Sequence, residues 1–273
     1  MTILVTGATG NVGGHLVRAL AERHENVRVF DRHAAGSLRQ ALDGADRLFL
    51  ACGNVPEQVD FECAAIDAAV AAGVRRVVKL SGPSASAGSP LIFERWHATI
   101  EAHLAASALP HVLLRPRTFM TNLLAYATSV ARIGRLFTPA GQARISFIHP
   151  RDVALVAAEA LTGPGHDGRT YTLTGPEAIT FDRVAAELSA VTGREVSYVA
   201  VGDEDAGHAM IADGLPPMLA DAIVAIFGAQ RAGVMAGTTG TVREVTGGEP
   251  LGIADFAREY AAAFRPIAAG SPG

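Results

Sequence analysis

The chain has 273 residues, a net charge of −4 and two cysteines, Cys52 and Cys63. Its length suits one large domain or one and a half, its slight acidity argues against a nucleic-acid partner, and its cysteines are too few for a disulfide framework or a metal cluster. No apolar run approaches the ~20 residues of a membrane span and the first strand leaves no room for a signal peptide, so we expect a cytoplasmic protein.

The first predicted element is the apolar run 3–5, which is followed directly by three glycines in the pattern G-x-x-G-x-x-G and by helical apolar spacing over 12–20. This order of strand, turn and helix is typical of a dinucleotide site, because glycines allow the backbone to approach a pyrophosphate at the N-terminus of the helix. The alternative is a turn without a ligand. The residues predicted to line the turn are Gly7, Thr9, Gly10, Asn11, Val12 and Gly13.

The next strand, 27–30, ends at Asp31, about 20 residues after the glycine turn, where a dinucleotide-binding protein needs a ribose contact. A carboxylate there accepts hydrogen bonds from both ribose hydroxyls and repels the 2′-phosphate of NADP. Arg32 follows immediately, and a guanidinium can stack on adenine or pair with a 2′-phosphate. We therefore predict NAD(H) as the preferred cofactor and keep NADP(H) as the alternative. The alternative is that Asp31 and Arg32 form a solvated turn and contact no cofactor.

Strands and helices then alternate: strands are predicted at 47–52, 74–80 and 111–114, and helices at 59–72 and 93–107. This alternation predicts an α/β fold, a Rossmann-type doubly wound parallel sheet, with ligands at the carboxyl ends of the strands. The strand ends expected to contact the cofactor contribute Ala51, Cys52, Gly53, Leu80 and Ser81.

Beyond Pro116 the pattern is less regular. Helices are predicted at 122–133, 151–161, 181–192, 215–227 and 253–264, and strands at 171–174 and 196–201. We predict a dinucleotide-binding domain over 1–174, of which 119–145 is allowed to contribute to the substrate cleft, a smaller C-terminal α/β lobe over 175–267 that binds substrate, and a disordered tail at 268–273.

Five stretches carry a family resemblance. They are Thr6-Gly-Ala-Thr-Gly-Asn-Val-Gly13, Ala71-Ala-Gly-Val74, Leu114-Arg-Pro-Arg-Thr-Phe-Met-Thr-Asn122, His149-Pro-Arg-Asp-Val153 and Gly165-His-Asp-Gly-Arg-Thr-Tyr-Thr-Leu-Thr-Gly175. On these stretches the chain resembles, over nearly its whole length, the NmrA-like atypical short-chain dehydrogenases and, in layout, bacterial NAD(P)H:quinone oxidoreductases. The resemblance implies a Rossmann domain with a small C-terminal lobe, and quinones or other flat conjugated acceptors as substrates.

The sequence departs from that pattern in two places. Only five residues separate Arg32 from Leu38, where relatives place a further helix and strand, so we expect a sheet with one strand fewer on the adenine side. Typical short-chain dehydrogenases also use Tyr-x-x-x-Lys, in which the phenol donates a proton and the ammonium lowers its pKa. Here the corresponding stretch is Phe93-Glu-Arg-Trp-His97, and phenylalanine has no proton to donate.

His97 falls where the resembled reductases often carry a lysine near the nicotinamide, so it is a candidate for ribose binding or, with a pKa near neutrality, for protonation of a reduced acceptor. Ser81 is the second catalytic candidate. His149 and Asp152 are weaker ones, since a helix-entry residue and an N-terminal charge explain them. Trp96 and Phe119 are candidate contacts for a planar substrate, although aromatic residues at such positions more often belong to the core. We predict no metal ligands.

The leading hypothesis is an NAD(P)H-dependent oxidoreductase that transfers hydride to a quinone or a related planar aromatic compound, such as a polyketide, without the Tyr-x-x-x-Lys acid. An acceptor with high electron affinity needs less acid catalysis than a simple ketone does. A second hypothesis is a sensor or accessory protein that binds dinucleotide without turnover, and a third is a tailoring enzyme for oxygenation or dehydration of an aromatic intermediate. A homodimer is compatible with each of them.

Overall fold

The computed structural model describes residues 1–32 and 37–266, whose contacts divide them into two compact units. The first unit comprises Met1–Arg117, Pro150–Leu173 and Thr239–Glu249, and the second comprises Thr118–His149, Thr174–Thr238 and the residues from Pro250. The division differs from the expected one in two segments, because Thr118–His149 belongs to the second unit and Thr239–Glu249 returns to the first. The predicted tail at 268–273 lies outside the described residues.

A six-stranded parallel sheet forms the centre of the first unit. Its strands are β1 (Thr2–Thr6), β2 (Asn26–Phe30), β3 (Arg47–Leu50), β4 (Arg76–Leu80), β5 (His111–Pro116) and β7 (Thr170–Leu173). They lie in the order β2-β1-β3-β4-β5-β7, and every pairing is parallel. This confirms the predicted Rossmann-type doubly wound sheet. The chain passes from β1 to β2 on one side and then returns to β3 on the other side of β1, and ligands bind at such a switch point in this class of fold.

The helices of the first unit are α1 (Asn11–Glu22), α2 (Leu38–Leu42), α3 (Gln58–Ala71), α4 (Ile92–Ala106), α6 (Pro150–Thr162) and α10 (Thr241–Thr246). Helix α1 packs against α6, and α3 packs against α4. Because side chains of a strand alternate between the two faces of the sheet, Leu4, Leu48 and Val77 share a core with the buried apolar residues of α3 and α4. The sheet therefore presents every second residue of β4 to those two helices.

The second unit contains a 3-10 helix (Met120–Tyr126), α5 (Ala127–Ile133), β6 (Arg135–Thr138), α7 (Phe181–Thr192), β8 (Ser197–Ala200), α8 (Asp203–Ala212), α9 (Pro217–Arg231), α11 (Ile253–Glu259) and α12 (Ala261–Phe264). Strands β6 and β8 form a two-stranded parallel sheet. Phe181 lies at the centre of the core, where its ring contacts those of Phe147, Tyr198 and Phe227. The predicted small α/β lobe is thereby confirmed.

The sequence analysis did not predict β6, α8 and α10, and each omission has a physical reason. Strand β6 follows Gly134, which ends α5 with φ +67°, and its partner β8 lies more than 60 residues away, so no local pattern marks it. Helix α8 has no buried residue and hence no apolar stripe. Helix α10 has only six residues and one buried side chain, Val242. Among the described residues, no helix has the length and apolar character needed to cross a bilayer.

Candidate active site

The glycine turn connects β1 to α1, and each of its three glycines has a different reason to lack a side chain. Gly7 adopts φ +63°, in the left-handed region. A Cβ on Gly13, which is buried in α1, would lie 2.1 Å from the carbonyl oxygen of Gly7. Gly10 is exposed, and a Cβ there would meet only the Gly7 carbonyl oxygen, at 3.2 Å. Gly7 and Gly13 are therefore needed by the fold, while Gly10 leaves room for a ligand.

The turn fits the pyrophosphate of a dinucleotide. Helix α1 begins after Gly10 without a side chain capping its first amides, and its first turn contains no acidic residue. Such amides and the positive end of the helix dipole stabilise an anion. The predicted members Thr9 and Asn11 are exposed, whereas Val12 is buried, so Val12 can offer only its backbone.

The ends of β2 and β3 lie on either side of this turn. The Thr6 hydroxyl joins β1 to β3, since it accepts from Ala51 N at 2.8 Å and donates toward Ala51 O at 2.9 Å. Asp31 and Arg32 are exposed at the end of β2, and Arg32 Nη1 lies 3.5 Å from Cys52 Sγ. The predicted contacts from β2 and β3, including exposed Gly53, thus meet at one edge of the sheet.

Ser81 follows β4 and is buried, after half-buried Leu80. Its amide donates to Leu114 O at 2.7 Å, and its hydroxyl donates to Glu101 Oε1 at 2.5 Å. Arg115 on β5 forms a bidentate ion pair with the same carboxylate, through Nε at 3.1 Å and Nη2 at 2.5 Å. Because its proton is directed to Glu101, Ser81 presents lone pairs rather than a proton to any other group.

His97 lies on the buried stripe of α4 and keeps 7% of its surface exposed. Burial, with the positive charges of Lys79 and Arg115, holds the pKa of the imidazole well below its usual value. The sequence had led us to expect a pKa near neutrality, and the structure differs because water is excluded and both neighbouring charges have the same sign as an imidazolium. His97 is consequently a neutral ring at physiological pH.

A buried ion pair lies beside His97. The Lys79 ammonium contacts the Glu62 carboxylate, and both side chains have no exposed surface. Lys79 Nζ also donates to Leu80 O at 2.7 Å and approaches His97 Nδ1 at 3.4 Å, and Gln58 Nε2 donates to Glu62 Oε1 at 3.1 Å. This group, defined as Gln58, Glu62, Lys79 and His97 and called the lysine cluster below, was missed from the sequence. A polar pair within the buried stripe of α3, and a lysine on the apolar strand β4, were the signals that could have found it.

The remaining candidates have other surroundings. Trp96 is half-buried on α4 and packs edge-on against Phe93, with ring centroids 5.4 Å apart. Asp152 is buried in the first turn of α6. Phe119 and His149 belong to the second unit. The backbone of Phe119 forms an isolated β-bridge with that of Ile148, and His149 Nε2 lies 3.4 Å from Glu259 Oε2.

A parallel sheet with a glycine turn at its switch point defines the class of protein, a Rossmann-type dinucleotide-binding protein. The model of the NmrA-like family matches residues 30–231, and the chain belongs to this family. It is 38% identical to an NAD(P)H azoreductase of Xenophilus azovorans, over 96% of this chain and 99% of that protein.

Two further similarities are informative. The chain is 39% identical to the (4-alkanoyl-5-oxo-2,5-dihydrofuran-3-yl)methyl phosphate reductase of Streptomyces griseus, over 97% of this chain and 99% of that protein. The structure of an NADPH-dependent quinone oxidoreductase of Escherichia coli in complex with NADPH superimposes with a TM-score of 0.83 and 28% identity, over 94% of this chain and 99% of that one. This chain is an NAD(P)H-dependent reductase.

Proposed function

We propose that this protein transfers a hydride from NAD(P)H to a conjugated, electron-poor acceptor, namely a quinone or a related planar aromatic compound. The observation that carries the proposal is the position of His97, which is buried near the carboxyl end of β4 beside the Lys79 ammonium, on a helix whose residue 93 is a phenylalanine. Similarity to reductases named for azo, quinone and unsaturated lactone substrates supports the same class, since each of these substrates is conjugated.

In this proposal the cofactor provides the hydride and His97 stabilises the charge that forms on the acceptor. Bound NAD(P)H would supply the hydride, which enters the acceptor and leaves negative charge on a conjugated oxygen or nitrogen. A neutral His97 stabilises that charge by donating a hydrogen bond, and water supplies the proton that completes reduction. An acceptor that tolerates this charge needs no Tyr-x-x-x-Lys acid, whereas an isolated ketone loses the roughly 10²–10⁴-fold that general acid catalysis provides.

Ser81 has a supporting role in this proposal. Its hydroxyl donates to Glu101, so its lone pairs are left to accept a hydrogen bond from the amide or ribose of the cofactor. Ser81 therefore anchors the cofactor and does not supply the proton. We propose Trp96 as an aromatic contact of the substrate. We also propose that the protein acts in the cytoplasm, whose reducing environment keeps Cys52 and Cys63 as free thiols.

We propose NAD(H) as the preferred cofactor because exposed Asp31 follows β2 directly and would face the adenosine ribose. A 2′-phosphate beside this carboxylate should bind about ten- to hundredfold more weakly, unless Arg32 pairs with it. The test compares the dissociation constants of NADH and NADPH for the wild type, Asp31→Ala and Arg32→Ala. Tighter binding of NADPH by the wild type would contradict the preference and assign the 2′-phosphate to Arg32.

The activity test is oxidation of NADH and NADPH with a panel of quinones and azo compounds, and with an unactivated ketone as the negative control. We expect turnover with the conjugated acceptors, and His97→Gln should lower kcat much more than it weakens cofactor binding. His103→Gln is the matched control, since His103 lies on the same helix but is partly exposed and pairs with Asp67. Cofactor binding without turnover of any acceptor would favour a sensor or accessory role instead.

A further inference from the structure

The ammonium of Lys79 has three N–H donors and no acceptor. In this structure three acceptors surround it: the Glu62 carboxylate, the carbonyl oxygen of Leu80 at 2.7 Å and His97 Nδ1 at 3.4 Å. Burial raises the pKa of Glu62 above its usual value, and the Lys79 ammonium in direct contact with the carboxylate opposes that rise. Each donor of Lys79 thus has one partner, and the partner on the ring is Nδ1.

This arrangement selects one form of the imidazole. A neutral histidine carries its proton on Nδ1 or on Nε2. A proton on Nδ1 would face an ammonium donor, so Nδ1 must be the acceptor and Nε2 must carry the hydrogen. Among the described residues, the hydrogen-bond partner of this ring is Lys79, at Nδ1. The hydrogen on Nε2 is therefore left to bind another group.

The backbone fixes the orientation of the ring as well. A Cβ added to Gly82 would lie 2.7 Å from His97 Cδ2, so the imidazole fills the space that a side chain at position 82 would occupy. Gly82 follows Ser81 directly after β4, at the carboxyl end of the sheet. Lys79 and Gly82 therefore hold two different edges of the ring near the strand ends where the cofactor is expected.

We propose that Lys79, held in place by Glu62, is a positioning residue that keeps His97 in the neutral form with its hydrogen on Nε2, ready to donate to the acceptor. The proposal rests on the proposed function for its catalytic consequence, but the state of the ring is a property of the protein alone. The charges that act on the His97 ring from other elements are those of Lys79 on β4 and Arg115 on β5, and Glu62 on α3 pairs with Lys79. The charged groups of α4 itself are Glu94, beside Gly82, Arg95, which donates to Ser89 O at 2.8 Å, and Glu101, which is paired with Arg115. The other titratable group of α4 is His103, which pairs with Asp67.

The test is nitrogen-15 NMR of the histidine rings in the full-length protein, first without nucleotide and then with NADH. Loss of signals in His97→Gln assigns the ring. The informative variant is Lys79→Met combined with Glu62→Gln, because removing both charges avoids an uncompensated buried ion. The control is Asp167→Asn, which breaks another ion pair of β4, that of Arg76.

We expect the wild-type ring to be neutral with hydrogen on Nε2 from mildly acidic to mildly basic pH. In the double variant the ring should exchange between both tautomers and titrate at higher pH, and kcat for quinone reduction should fall about 10- to 100-fold, as for other lost positioning partners. Cofactor affinity should be unchanged in it, and Asp167→Asn should behave as the wild type.

Wild-type hydrogen on Nδ1, a protonated ring at neutral pH, or a double variant with an unchanged ring would each overturn the proposal. An altered ring with unchanged kcat would overturn the catalytic consequence. If no acceptor is reduced by the wild type, the proposed function fails, and the spectra still decide whether Lys79 controls the ring.

Discussion

The glycine turn and the lysine cluster lie at the same edge of one sheet, yet the two regions are built in opposite ways. The turn is one continuous segment in which Gly7 and Gly13 serve the backbone. The cluster brings together side chains from α3, β4 and α4, and its energy depends on charges that have left water completely. The turn can therefore be recognised from a local motif, whereas the cluster exists only because distant segments of the chain pack together.

The largest effect that would sharpen this contrast is expected from Lys79→Met alone. Removing one partner leaves the Glu62 carboxylate buried without a counter-ion, which should lower the free energy of unfolding by about 3–5 kcal/mol. Adding Glu62→Gln should recover most of the loss, because no charge then remains. Urea unfolding of both variants measures the difference, and a single variant as stable as the double one would contradict it.

The glycines should separate folding from binding. Gly13→Ala places a Cβ 2.1 Å from the Gly7 carbonyl oxygen and should lower the free energy of unfolding by about 1–3 kcal/mol. Gly10→Val should keep the fold and weaken dinucleotide binding at least about tenfold, since its side chain points into the open turn. Thermal unfolding and NADH titration check both variants. Unchanged affinity in Gly10→Val would remove the turn from the cofactor site.

The sequence could predict the local glycine turn but not the lysine cluster, which is built from distant segments. The turn, Asp31 and the strand ends could be predicted as a cofactor site because each depends on residues near one another in the chain. His97 became a candidate through the family resemblance alone. Glu62 and Lys79 were missed because an apolar pattern averages over single polar residues, and their pairing depends on how α3 packs on the sheet. The segments exchanged between the two units were missed because no composition change marks them.

The acid stability of the protein gives a smaller test. His97 has a lowered pKa when folded, so below about pH 6.5 the unfolded chain takes up a proton that the folded chain does not. The contribution of His97 to stability is therefore complete above that pH and is lost as the pH falls, by up to about 1.4 kcal/mol per pH unit. Urea unfolding between pH 7 and pH 5 should show a shallower decline for His97→Gln, and parallel curves would contradict a neutral buried ring.

The smallest effect is expected from Ser81→Ala. In our proposal the Ser81 oxygen accepts one hydrogen bond from the cofactor, so its removal should weaken NADH binding by roughly 1 kcal/mol, about fivefold. The hydroxyl proton is directed to Glu101, so the pH dependence of kcat should be unchanged. Cofactor titration and a pH profile measure the two quantities. A new dependence of kcat on pH would show that Ser81 takes part in proton transfer.

The contact between Gly82 and His97 also constrains how this protein can diverge. Any residue other than glycine at position 82 would bring its Cβ within 2.7 Å of the ring. A change at position 82 is therefore tolerated only after position 97 has changed to a smaller or differently oriented side chain. In a library of random variants selected for reduction of the acceptor, position 82 should therefore remain glycine for as long as His97 is retained.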